Sequence, residues 1–108
     1  MKTDSNPWEA IEKKGIKVGG KVYSVKPIDN ADSTVDIGNH NGLTQEIRVR
    51  DMHIGQKRDT LLHELLHALF WNTGFDDASS DEKMIETLAH GLGALLVDNP
   101  HLLELWSQ

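Results

Sequence analysis

The sequence contains no cysteine. That absence excludes a disulfide framework and any thiolate-held metal, so a metal site here must be built from His, Asp or Glu, and nothing asks for an oxidising compartment. Long apolar runs are missing too: the longest span only a few residues, and Met1 to Trp8 is polar. Neither a membrane span nor a signal peptide is expected, and a cytoplasmic location is the default expectation. Basic residues are the minority, 11 Lys and Arg against 17 Asp and Glu, for a formal net charge of −6. No basic block stands against that balance, so nucleic acid is not an expected partner. There is no repeat, linker or low-complexity tract, and 108 residues fit one domain spanning 1–108.

What is present divides into two halves. Pro7 to Lys14 reads as a short helix, with Asn6 as cap, Pro7 at the first helical position and Gly15 as terminator. Ile16 to Ile28 is rich in β-favouring residues and is interrupted by Gly19-Gly20, the pattern of a hairpin. A polar turn over Pro27 to Ser33, a brief strand over Thr34 to Ile37 and a reversal over Gly38 to Gly42 follow. Leu43 to Asp51 then alternates apolar and charged residues as a half-buried strand.

After Gly55 the period changes. Leu61, Leu62, Leu65, Leu66, Leu69 and Phe70 recur at helical spacing up to Asn72, with Gly74 as terminator. A second helix is expected from about Asp81 to Val97, capped by Ser79 or Ser80, with Ile85, Leu88, Ala89, Leu92, Leu95 and Leu96 as its apolar stripe. Asn99-Pro100 ends it, and Leu102 to Trp106 suggests a last short helix packed back on the body. The expected class is α+β: a small antiparallel sheet of three to four strands, then two long helices, with short terminal helices.

The first long helix carries His63-Glu64-Leu65-Leu66-His67, an H-E-x-x-H arrangement. Residues four apart stand one helical turn above each other, so the two imidazoles can meet at one point, a two-point clamp for zinc. Glu64 lies beside that clamp, placed to accept a proton from a water rather than to bind metal. The blander reading makes both histidines interior residues, but each buried ring nitrogen would then need a partner of its own.

A third ligand must come from elsewhere. With Glu82 set at zero and about 100° per residue, the stripe of the second helix averages near ~290°, Glu86 falls near ~40° and His90 near ~80°. Glu82 is thus the expected ligand and Glu86 the alternative, although Ser79-Ser80-Asp81-Glu82 also reads as a capping box. His40, His53, His90 and His101 read as surface or supporting residues, and Asp59-Thr60 could orient an imidazole from behind.

The blocks Thr60-Leu-Leu-His-Glu-Leu-Leu-His-Ala-Leu69, Asp81-Glu-Lys-Met-Ile-Glu-Thr-Leu-Ala-His-Gly-Leu92 and Asp98-Asn-Pro100 resemble the minimal gluzincin metallopeptidases of phages and bacteria, the ImmA/IrrE-like type. The resemblance covers roughly Tyr23 to Pro100 and implies a site of two His and one Glu, mapping to His63, His67 and Glu82, with Glu64 as general base. It also implies that the strand before the motif helix, Leu43 to Asp51, borders the cleft and pairs with an extended peptide. His90 departs from the family pattern, which has Asn there. The expected function is zinc-dependent hydrolysis of a protein or peptide substrate; the alternatives are a zinc-binding interaction protein that cleaves nothing and a metal-free helical module.

Overall fold

The computed structural model describes residues 6–28, 36–75, 77 and 81–108. The chain begins with α1 (Pro7–Lys14), where Asn6 Oδ1 accepts from Trp8 N and Gly15, at a positive φ, closes the end. Next come β1 (Ile16–Val18) and β2 (Lys21–Ile28), joined at Gly19-Gly20, whose two positive φ angles suit a tight antiparallel turn. Then follow β3 (Gly38–Asn41), β4 (Glu46–Arg50), the motif helix α2 (Ile54–Asn72), α3 (Glu82–Asp98) and a 3-10 helix, Pro100–Trp106. The class is α+β as expected. Among the described residues no helix is long and apolar enough to cross a membrane.

The sheet differs from the expected antiparallel one. Its order is β1-β2-β4-β3, with antiparallel outer pairs and a parallel pair at the centre, β2 against β4. The sheet is therefore mixed: β4 inserts between β2 and β3 in the register Val25↔Ile47 and Pro27↔Val49, which sets the buried Val25 and Ile47 side by side. The reversal expected over Gly38 to Gly42 is displaced as well. Residues 38–41 form the edge strand, and the turn follows, held by Asn41 Oδ1, which accepts from Leu43 N and Thr44 N. The earlier turn and strand expected between Pro27 and Ile37 fall largely on 29–35, outside the described residues.

Helix α2 joins two apolar clusters. Leu61, Leu65 and Ala68 face the sheet and pack with Val18, Tyr23, Val25, Ile47 and Val49, while Leu62, Leu66 and Phe70 face α3 at Ile85 and Ala89. Its ends are capped: His53 Nδ1 accepts from Gly55 N, and Gly74 N and Phe75 N return to Trp71 O and Phe70 O, a Schellman closure.

Helix α3 is covered less than its stripe suggests. Ile85 and Ala89 are buried, but Leu88, Leu92 and Leu95 remain exposed. Its cap is Asp81, whose side chain accepts from Met84 N, not a serine; Ser79 and Ser80 lie outside the described residues. The final 3-10 helix is not packed back firmly, since Leu103, Leu105 and Trp106 are all exposed.

Candidate metal centre

On a helical wheel for α2, the sheet-facing residues and the α3-facing residues leave a gap of about 160°, and His63, His67 and Glu64 fall inside it. The motif thus opens into the space between α3 and the sheet edge at β3. A cavity of about 710 Å³ occupies that space, with His63, Glu64, Glu82, Gly38 and Thr60 among its lining residues.

Three side chains converge there. His63 Nε2 lies 3.0 Å from Glu82 Oε1, His67 Nε2 lies 3.1 Å from Glu82 Oε2, and the two imidazole nitrogens are 3.3 Å apart. His63, His67 and Glu82 form the metal-competent group found among the described residues. Glu82 is the first residue of α3, where the helix start throws its carboxylate across to α2, and the capping task that competed for it belongs to Asp81. Glu86 lines the cavity without joining the two histidines.

The spacing and the chemistry agree with a divalent cation. Tetrahedral zinc with bonds of about 2.0 to 2.1 Å holds its ligand atoms about 3.3 to 3.4 Å apart, close to the separations here. Without a cation, each ring nitrogen, when protonated, has its own acceptor oxygen on Glu82; with both ring nitrogens unprotonated, a cation at the centre meets all the lone pairs at once.

Glu64 stands beside this group and is 7% exposed. No described residue gives it a hydrogen bond, and its pKa is pushed up from 4.5 to about 7, first by burial and then by the negative charges of Glu82 and Asp36. Gly38 makes that position possible: a Cβ there would lie 2.5 Å from Thr60 Cγ2 and 3.2 Å from Glu64 Oε2. Only a glycine lets β3 approach α2 so closely.

Behind the centre sits His40, which the sequence places among the supporting residues without a contact. Its ring stacks on His67, with centroids 6.3 Å apart and planes at 10°, and on Tyr23 at 5.6 Å. Burial, then the neighbouring His67, lowers its pKa, and its Nε2 has no hydrogen-bond partner. No local signal announces this role, because His40 meets His67 only through the β3–β4 pairing.

Two other expectations change. Asp59 makes no hydrogen bond to either imidazole; its Oδ1 lies against Gly93 of α3, 3.1 Å from where a Cβ would stand. The strand over Leu43 to Asp51 cannot offer an edge, since β4 is paired on both sides; the edge beside the cleft is β3. His90, which the wheel turns away from the core, lines the cavity, because that cavity opens at the core's rim. No family model, curated protein or solved structure matches the chain.

Proposed function

We propose that this protein is a zinc-dependent metallopeptidase. The observation that carries the reading is the convergence of His63, His67 and Glu82 beside a buried Glu64 to which no described residue gives a hydrogen bond. Two neutral imidazoles and one carboxylate would hold the ion, leaving room for water and substrate on the cavity side. Bound there, zinc supplies the Lewis acidity that makes water nucleophilic near neutral pH and polarises a carbonyl.

The chain's own part falls to Glu64 and β3. Glu64 accepts a proton from the water as its oxygen bonds to the peptide carbonyl carbon. The same carboxyl then gives the proton to the departing nitrogen as the C–N bond breaks, yielding a carboxylate and an amine. A proton acceptor tuned towards neutrality suits both transfers, and a nearby cation would draw its pKa down towards the acceptor form. The substrate lies as an added strand along the edge of β3, where Gly38 brings the backbone close to Glu64.

The test uses zinc-loaded protein and unfolded protein substrates, with cleavage followed by mass spectrometry. Wild type should cut and Glu64→Gln should retain zinc while cutting about 10² to 10⁴-fold more slowly. Equal cleavage by the two would remove Glu64 from the chemistry. Zinc retention without cleavage by wild type would leave a binding protein in place of the enzyme.

A further inference from the structure

Helix α2 carries one more residue on its cleft side. Trp71 stands one turn beyond His67, about 6 Å along the axis, and on the helical wheel its direction falls between those of His67 and Glu64. It therefore shares the sector that holds the two histidines and Glu64. Its indole is 42% exposed, so a large apolar ring faces solvent on the side of α2 that carries the chemistry.

That ring is held in place from behind. A Cβ on Gly42 would stand 2.3 Å from Trp71 Nε1 and 2.4 Å from its Cε2, so any side chain there would displace the indole from the turn that follows β3. The His40 ring meets the indole edge-on, with centroids 6.1 Å apart and planes at 69°, and His40 rests in turn on the fully buried Tyr23. The same contacts trace the course of β3: Gly38 lies by Thr60 and Glu64, His40 by His67 and Trp71, and Gly42 by Trp71. Strand and helix therefore run side by side in one direction, and the free edge of β3 leads from Glu64 past the metal group to the indole.

Strand geometry converts this path into a position on the substrate. A peptide added along β3 advances about 3.3 Å per residue and turns alternate side chains to the same face, so two residues cover about 6.6 Å. That matches the ~6 Å between His67 and Trp71. We infer that Trp71 is a specificity-determining residue, an indole platform for a large apolar or aromatic side chain two residues from the one seated at the metal. The assignment rests on the peptidase reading, which supplies the peptide along β3. A ring already fixed by Gly42 and His40 loses little freedom when it is covered, and an apolar side chain laid on it removes surface of both partners from water.

The experiment measures binding separately from cleavage. Zinc-loaded Glu64→Gln is titrated into fluorescein-labelled peptides of one Ala- and Ser-based sequence, in which Phe, Leu, Lys or Glu replaces each position in turn, and anisotropy gives Kd. Phe and Leu should bind about tenfold tighter than Ala at one position, by the same margin at low and high salt. Adding Trp71→Ala or Trp71→Gln should bring the Phe to Ala ratio there close to one, and adding Trp71→Phe should keep most of it. A general loss of fold would weaken every peptide and leave the ratio unchanged, so the ratio in the folded, zinc-loaded variants decides. A ratio that survives both Trp71→Ala and Trp71→Gln, no position with an apolar preference, a preference for Lys that fades with salt, or no binding by any peptide would each overturn the platform. Wild-type cleavage of the Phe peptides is located by mass spectrometry in parallel. The cut bond should lie two or three residues from the preferred position, and a more distant cut would overturn the placement. Absence of any cleavage would defeat the peptidase reading, while the affinities still decide the apolar preference.

Discussion

Glu64 is the residue whose environment asks most of the fold. A carboxyl group with a folded pKa near 7 and an unfolded value near 4.5 is penalised once it ionises in the folded chain. In the metal-free protein its contribution to stability is complete below pH 4.5 and is lost as pH rises through 7. Since one pKa unit corresponds to about 1.4 kcal/mol, the loss reaches roughly 3 kcal/mol. Urea unfolding in the presence of a chelator at pH 5 and pH 8 should show it, and the difference between wild type and Glu64→Gln isolates it from other titrating groups. A difference that is flat with pH would mean Glu64 is not held in the environment described here. The identities of His63, Glu64 and His67 are legible in the sequence because helical spacing alone brings i and i+4 together. Glu82 is legible ahead of Glu86 from the wheel, but its release from the capping box is not, since the cap goes to Asp81 only once the helix start is seen.

The elements around the site depend on close approaches that no periodicity reports. Gly38 on β3 is the clearest: its missing side chain leaves room for Thr60 and Glu64. Gly38→Ala should push β3 away from α2 and destabilise the protein by about 1 to 3 kcal/mol, measured by denaturant unfolding, with β3 and the Glu64 side chain moved apart in a structure of the variant. Unaltered stability would show that the strand can shift freely. At the start of α3, Asp81→Ala removes the hydrogen bond to Met84 N and should cost about 0.5 to 2 kcal/mol. Because Glu82 is the next residue, fraying there should also weaken metal affinity. The helices are readable from their strong periodicity and end signals. The strand order is not, because β2 and β4 come together in parallel through a pairing between distant residues, and β3 is built from the sequence Gly-Asn-His-Asn, whose local preferences favour a turn. Pairing with β4 and the stacking of His40 on Tyr23 and His67 override those preferences.

At the scale of the whole molecule, one helix organises everything: α2 lies between the sheet and α3, presents separate apolar faces to each, and turns its remaining side towards the cleft. Since both ligands on α2 and the ligand on α3 must be in place together, metal binding and the docking of the two helices are coupled. Zinc in hundredfold excess over its Kd should add about 2.7 kcal/mol to unfolding stability and raise the melting temperature, with a chelator reversing the shift. The most direct test of the centre is the zinc content of purified protein after dialysis against limiting zinc, read by inductively coupled plasma mass spectrometry. One zinc per chain is expected for wild type, Glu64→Gln and Glu86→Gln, with loss in His63→Ala, His67→Ala and Glu82→Ala. Zinc kept by Glu82→Ala and lost by Glu86→Gln, or no zinc in the folded wild-type chain, would contradict the account.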